Sequence, residues 1–291
     1  MADWLERAVA GFGSVEVPEE VRRAAEAGLR DWVVRCPEDL PLLQALVEEG
    51  CRDLLVDSFY QVIPFGTGGR RGPVGVGPNR INRRTIGSSV QGHAEYLRER
   101  HPEGTLSVVI AYDVRDYQDA RRLYPRELNP LLGTRSATFA RLAACVYAAS
   151  GVRVFLATAP LSTPELSFAI RRLGAQGGLN VSASHNPPDD NGAKIYNHLG
   201  GQEVPPNDEH LVSMVARVAE VRSMDFDLAR AEGLIVDLPE SVREAYVEAN
   251  VACSLHPQAR SAHVVFTALH GPGLFTVPPV LRAAGFRVDI E

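Results

Sequence analysis

Lysine is almost absent from this 291-residue chain: of its 30 lysine and arginine residues, only Lys194 is a lysine. An excess of positive charge is also absent, because 36 acidic residues bring the formal net charge to −6. Proteins that hold nucleic acid do so largely by clustering positive charge against phosphates, so this balance argues against nucleic acid as a partner. A small anionic ligand remains compatible with it.

The sequence also lacks the patterns of membrane, secreted and zinc-binding proteins. No apolar run approaches the ~20 residues that span a bilayer, and the acidic N-terminus has no apolar signal-peptide region. The four cysteines have no C-x-x-C spacing, so we expect reduced thiols rather than a zinc site or a disulfide framework. With 45% hydrophobic residues the chain can bury a core, and we expect a soluble, cytoplasmic protein without a membrane partner.

Apolar periodicity divides the chain into three regions. Residues 1–60 have the pattern of helices and predict an N-terminal helical extension. Glycine, proline and arginine without a period then predict a long loop from Phe65 to Arg84. Strands and helices alternate through residues 61–235, which indicates an α/β domain with βαβ units on a parallel sheet. Residues 236–291 have the pattern of the opening of a second α/β unit.

The individual elements follow from start and stop signals. The predicted strands are 106–111, 152–156, 178–182, 263–267 and 286–290. The predicted helices run from a cap at Thr134 to before Gly151, from a cap at Thr163 to a stop at Gly174, and over 205–221, 239–253 and 277–284.

Residues 181–196, VSASHNPPDDNGAKIY, are the most informative segment. Small polar residues follow a predicted strand, two prolines stiffen the turn, and Asn191-Gly192 is predicted to turn the chain back. Loops at strand ends are where open α/β sheets bind their ligands. This segment is therefore the first candidate for a functional site.

The loop holds the parts of an activated nucleophile. The Ser184 hydroxyl has His185 beside it and the Lys194 ammonium ten residues further on. A polar turn whose side chains bond only to the backbone is an equally compatible interpretation. Asp189 and Asp190 suggest a metal site, but adjacent carboxylates on a turn point apart, and we expect these two to face water.

Four motifs in this sequence resemble those of the α-D-phosphohexomutase superfamily, in the same order along the chain. They are FGTGGRRG at 65–72, YDVR at 112–115, SASHNP at 182–187 continued by NGAK at 191–194, and TALHGPG at 267–273. Gly200-Gly201-Gln202 and the helical extension make the chain more similar to the phosphoglucomutase-2/phosphopentomutase-like branch than to the short phosphomannomutase type.

The resemblance implies a fold and a set of site residues. The fold is a three-layer α/β/α phosphohexomutase domain 1 with a mixed, largely parallel sheet, over residues 61–235, followed by an incomplete domain 2 over residues 236–291. Ser184 is implied as the phosphoserine and Arg71 as a ligand of its phosphate. Lys194 is implied as a general acid/base or a phosphate clamp, and His185 as a residue that orients the site or moves a proton. From the residues alone, we expect Asp113 and Arg115 chiefly to form an ion pair that supports the end of the strand.

The resemblance also implies a reaction, a phosphosugar mutase activity. A phosphoryl group moves between the 1-position and the 6- or 5-position of a small phosphosugar, through the phosphoserine and a bisphosphate intermediate. Mg²⁺ is the implied metal, with the phosphate on Ser184 as one ligand, and a sugar 1,6-bisphosphate is the implied activator.

The superfamily's Asp-x-Asp-x-Asp-Arg metal motif and its sugar-selecting loops do not occur in this sequence. Mg²⁺ requires several oxygen ligands, so we expect this chain to be an N-terminal portion with little or no activity alone. Two alternatives stay open. One is a non-catalytic phosphosugar-binding remnant; the other is one subunit of a split mutase whose partner chain carries domains 2 to 4.

Overall fold

A computed structural model of the chain describes residues 2–66 and 68–291; Thr67 of the 65–72 motif lies outside the described residues. The strands are β1 (Gly69–Pro73), β2 (Ser107–Tyr112), β3 (Arg153–Leu156), β4 (Gly177–Val181), β5 (Asp190–Asn197), β6 (Ile235–Asp237), β7 (His263–Phe266) and β8 (Arg287–Ile290). The helices are α1 (Ala2–Gly11), α2 (Glu19–Arg35), α3 (Leu40–Glu48), α4 (Arg52–Phe59), α5 (Arg83–Arg100), α6 (Ser136–Ala149), α7 (Thr163–Leu173), α8 (Asn207–Ala216), α9 (Phe226–Ala231), α10 (Glu240–Ala252) and α11 (Val277–Ala283).

Six strands form the main sheet in the order β1-β5-β4-β2-β3-β6. The pairs β2–β4, β2–β3 and β3–β6 are parallel, whereas β5 runs antiparallel to both of its neighbours, β4 and β1. The expectation of a mixed, largely parallel sheet is thus confirmed. The central strands are buried on both faces, as expected where helices cover a parallel sheet on both sides.

Two apolar clusters lie on opposite faces of this sheet. On one face, Val108 and Ile110 of β2 belong to the larger cluster, which also contains residues of α5, α6 and α8. On the other, Val109 and Ala111 pack in the smaller cluster with residues of α7 and α10. The predicted helical extension shares the larger cluster, with Leu29 among its fully buried members, so these helices pack on the α/β layer.

Helix boundaries follow their capping residues, and two predicted caps were wrong by one residue. Ser162 caps α7 by accepting the Glu165 N–H, with Thr163 as the first helical residue. Gly174 ends α7 in the left-handed region at φ 63°, where a side chain would be strained. For α6 the cap position is Arg135 instead of Thr134.

Two segments contradict the sequence-based assignments. The predicted loop from Phe65 to Arg84 contains β1 and the first residues of α5. Asn191 and Gly192 do not form the turn; they lie inside β5, and the chain reverses before Asp190. Pairing with strands on both sides overrides the turn preference of Asn-Gly, because each strand neighbour satisfies backbone groups that a turn would leave to solvent.

The C-terminal segment forms a separate two-stranded parallel sheet of β7 and β8. Glu165 of α7, 1% exposed, accepts hydrogen bonds from Arg243 of α10 and from Thr276 before α11, which connects this segment to the main domain. The boundary predicted after residue 235 falls inside β6, a strand of the main sheet. Among residues 2–66 and 68–291, no helix is long and apolar enough to cross a membrane.

Candidate active site

The site lies at the carboxyl-terminal edge of the sheet, in the loop that joins β4 to β5. The loop starts after Val181 and ends at Asp190, so it leaves one central strand and enters its antiparallel neighbour. The segment after β2 runs beside it, because the amide of Asp113 donates a hydrogen bond to the Val181 carbonyl. Loops at this edge are the usual ligand positions of open α/β sheets.

Ser184 is exposed at the tip of this loop in an uncommon backbone conformation. Its φ of 59° places a residue with a side chain in the left-handed region, which costs about 1–2 kcal/mol. The Ser182 hydroxyl compensates in part by accepting the Ser184 N–H at 3.0 Å. The hydroxyl of Ser184 is thereby presented to solvent on a constrained backbone.

Arg115 anchors the loop through its main chain. Its guanidinium donates to four carbonyl oxygens, at 2.9 Å to Ser184, 2.8 Å to Asn186 and 3.0 Å to Asp190, and also to that of Pro187. A planar guanidinium with five N–H donors suits several acceptors in one plane. The loop therefore wraps around the guanidinium of Arg115, a largely buried cation.

Asp113 fixes the Arg115 side chain from behind. The two form an ion pair at 3.1 Å with both side chains about 10% exposed, and Asp113 also accepts the Ser136 hydroxyl at 2.6 Å. Ser136 in turn accepts from the Asn191 side-chain amide at 2.9 Å. The expected ion pair at the strand end is confirmed, and the network extends it to the first turn of α6 and to β5.

Arg71 and Lys194 lie together on one face of the β1–β5 pair. Arg71 is opposite Gly192 in the register, and Lys194 is two residues further along β5, so the three positions share a face. A Cβ added at Gly192 would lie 3.0 Å from Cγ of Arg71. The absence of a side chain at Gly192 therefore leaves the space that the Arg71 stem occupies.

The neighbouring charges change the acidity of Lys194. Partial burial lowers the pKa of its ammonium, and the positive charges of Arg71 and Arg115 lower this pKa further, while Asp113 opposes them. Lys194 thus loses a proton more readily than an exposed lysine, which a group for proton transfer requires.

The two adjacent carboxylates of the loop do not face water, contrary to the expectation. Asp189 is 6% exposed and accepts the backbone N–H groups of Gln118 and Ala120. Asp190 is equally buried and accepts from Arg121 and from the Asn186 amide. They point apart, as predicted, and both hold the loop in place.

The described residues do not fit a complete Mg²⁺ site. Within residues 2–66 and 68–291, no three His, Cys, Asp or Glu side chains are grouped so as to hold a metal ion. Asp189 and Asp190, the nearest carboxylates along the chain, already accept protein donors. Mg²⁺ prefers six oxygen ligands, so a phosphate on Ser184 would supply only part of the set.

The structure places the predicted site residues in two groups. Lys194 and Arg71 are neighbours, and Ser184 is tied to Arg115. His185 is exposed beside Ser184. Sequence reasoning missed the part of Ser136, whose place at the start of α6 carries no signal of its own.

A family model supports this description. The model for phosphoglucomutase/phosphomannomutase, alpha/beta/alpha domain I, matches residues 62–121 and 134–222. These residues include the sheet from β1 to β5 and every residue of the site described above.

Curated relatives and a solved structure agree with it. The chain is 32% identical over 252 residues to a phosphoglucomutase of Staphylococcus haemolyticus, covering 81% of this chain and 42% of that protein. It is 34% identical over 231 residues to a phosphoglucomutase of Staphylococcus epidermidis, covering 77% and 38%. A crystal structure from Thermus thermophilus, provisionally assigned as a phosphomannomutase, superposes with a TM-score of 0.60 at 28% identity, covering 79% of this chain and 46% of that one. The chain thus spans about four-tenths of the length of these curated relatives.

Proposed function

Because the chain belongs to the phosphoglucomutase/phosphomannomutase family, we propose that it carries the phosphoserine site of a phosphosugar mutase. In this proposal Ser184 holds a phosphoryl group and donates it to a hydroxyl of a small phosphosugar. The second phosphate of the resulting sugar bisphosphate then returns to Ser184. The product differs from the substrate in the position of one phosphate.

One observation carries the proposal: an exposed serine hydroxyl is held on a constrained loop at the same sheet edge as two cations that differ in character. Arg71 is an exposed guanidinium, whereas Lys194 is half-buried with a lowered pKa. Phosphoryl transfer depends mainly on positioning and on cations that neutralise the moving charge. This arrangement supplies both.

The roles of the residues follow from their chemistry. In each half of the reaction the phosphoryl group moves between the Ser184 oxygen and a sugar oxygen. The P–O bond to one of these oxygens breaks as the P–O bond to the other forms. Arg71 offers a planar pair of N–H donors that matches two phosphate oxygens. Either Lys194 moves a proton to or from the sugar hydroxyl, or it remains charged and binds phosphate. His185 is the second candidate for orienting the site or moving the proton.

Mg²⁺ and a sugar 1,6-bisphosphate activator belong to this proposal only as partners of the whole protein. The described residues offer the cation no complete ligand set, so none of the steps above involves it. The remaining ligands and the sugar-selecting groups would come from further domains, on the same polypeptide or on a partner chain.

The phosphoserine is tested by intact-mass spectrometry of the whole protein after incubation with glucose 1,6-bisphosphate. We expect one phosphoryl adduct, absent from Ser184→Ala and mapped to Ser184 by peptide sequencing. Ser182→Ala is the matched control, because its serine lies two residues away and serves as an acceptor of a backbone N–H. An unmodified Ser184, with phosphosugar binding retained, would refute the phosphoserine and support a non-catalytic binding module.

The two roles of Lys194 are separated by Lys194→Arg in the whole protein. An arginine keeps the positive charge but does not release its proton. Turnover lowered about 100-fold or more, with an unchanged KM, is expected for proton transfer. Near-normal turnover would leave only the phosphate clamp.

A further inference from the structure

A cavity of about 750 Å³ lies on the face of β1 opposite to Arg71. Its walls come from α2, from the end of α4 and the segment after it, from the first turns of α5, and from the segment that follows α8. Two partly exposed aromatic residues, Tyr60 and Phe65, are among those that line it. A cavity of this size falls in the range of sites for small organic ligands.

Arg70 of β1 lines this cavity and is itself 6% exposed. Among residues 2–66 and 68–291 its Nε–H has no acceptor, and Nη1 has only two long contacts of 3.4 Å, to the Thr85 carbonyl and the Ser88 hydroxyl. The Phe65 ring is 5.2 Å from Cζ. Among the described residues no carboxylate forms an ion pair with Arg70, although buried charges in proteins are normally paired.

The cavity concentrates positive charge in an acidic chain. Four arginines line it, Arg35, Arg70, Arg84 and Arg217, against one acid, Asp31. That acid is already bound to Arg35 at 2.6 Å. The chain as a whole carries a net charge of −6, so the sign of the charge is reversed here. Such a local excess attracts anions.

Arg70 and Arg71 therefore face different sites. Adjacent residues of a strand point to opposite faces of a sheet, and Arg70 is buried where Arg71 is exposed. Burial lowers the pKa of Arg70 to about 10, so the guanidinium still carries its charge at neutral pH. An anion bound in the cavity beside this guanidinium would neutralise its charge.

We propose that this cavity binds a small organic anion, whose carboxylate, sulfonate or phosphate group pairs with Arg70 and whose apolar body packs on Tyr60 and Phe65. The lining favours both parts of the ligand. The unpaired guanidinium favours an anionic head group, and the aromatic residues favour an apolar body. The site is separate from the Ser184 loop and does not depend on the proposed mutase activity.

The experiment uses two fluorescent probes on the 291-residue chain. 8-Anilino-1-naphthalenesulfonate carries a sulfonate, and N-phenyl-1-naphthylamine has the same rings without charge. We expect saturable binding of the sulfonate at one site, weakened about 10-fold or more in Arg70→Met, which corresponds to the loss of a charged hydrogen bond. Binding of the uncharged probe should change less than threefold, which shows that the cavity is intact.

Three controls complete the test. Arg71→Met removes the neighbouring arginine from the opposite face and should leave binding of both probes unchanged. Ser88→Phe, which places a ring beside Arg70 without removing charge, should weaken binding of both probes. Decanoate should displace the sulfonate, and inorganic phosphate should do so only weakly, because it lacks an apolar body. Equal binding of the sulfonate to the wild type and Arg70→Met, or displacement by phosphate as efficient as by decanoate, would overturn the proposal.

Discussion

Replacing Arg115 with methionine tests whether one guanidinium holds the Ser184 loop. The change removes four hydrogen bonds to loop carbonyls and the ion pair with Asp113, but it keeps most of the side-chain volume. Asp113 would retain the Ser136 hydroxyl and the amide of residue 115 as donors. The loss is therefore that of a largely buried pair with one partner removed.

The expected cost is about 3–5 kcal/mol, the range measured when one member of a buried ion pair is removed. The four carbonyl contacts do not add to this in full, since the loop can relax and bind water. In a chain of this size each kcal/mol lowers the melting temperature by about 2–4 °C. We therefore expect a decrease of roughly 6–20 °C by calorimetry.

Arg121→Met is the matched control. Arg121 contacts the same loop through Asp190, but its side chain is 42% exposed, so its ion pair should contribute less than about 1 kcal/mol. Amide hydrogen exchange of residues 183–190 gives a local measurement, and we expect faster exchange in Arg115→Met only. A melting temperature within about 2–3 °C of the wild type, with unchanged exchange in the loop, would refute the anchoring function of Arg115.

Three further predictions concern titration and packing. The pKa of Lys194 is lowered in the folded protein, so the free energy of unfolding should increase as pH rises from this lowered pKa toward the ordinary 10.5. Nitrogen NMR of this single lysine should show the lowered pKa, and Arg71→Met should raise that pKa. Burial lowers the pKa of His93 from 6.5 to about 3, so the free energy of unfolding should fall by about 1.4 kcal/mol for each pH unit below 6.5. Denaturant titrations at several pH values should show this dependence in the wild type, and His93→Gln should lack it. Gly192→Ala places a Cβ against the backbone carbonyls of Arg70 and Ser182 and should destabilise by about 1–3 kcal/mol. Gly13→Ala, with open space around it, should change stability by less than about 0.5 kcal/mol in the same denaturant assay.

The family was easier to predict than the elements that carry its motifs. Ser184, Lys194 and Arg71 belong to residue types whose chemistry suits phosphoryl transfer, and motif spacing placed them in one family. The residues next to Lys194, by contrast, indicate a local structure that differs from the one they form. β5 begins with Asp-Asn-Gly, a strong turn signal, and it forms a strand because β1 and β4 pair with it on both sides.

α5 shows a second limit of local patterns. Its sequence contains Gly87 and Gly92, which weaken any helix prediction. A Cβ on Gly92 would meet the backbone of Val215 in α8, so the glycine permits close packing of two helices. Such a contact is made between residues far apart in the chain, and no window of the sequence contains both.

The anchoring of the loop by its carbonyl oxygens has a consequence for variation among related proteins. Every residue has a carbonyl, so Arg115 binds the backbone of Ser184 and Pro187 whatever side chains follow there. The exposed position Pro188 is then free to differ without loss of the loop's shape. We expect relatives to vary at Pro188 far more than at Arg115 and Asp113, so that new contacts can evolve there on an unchanged support.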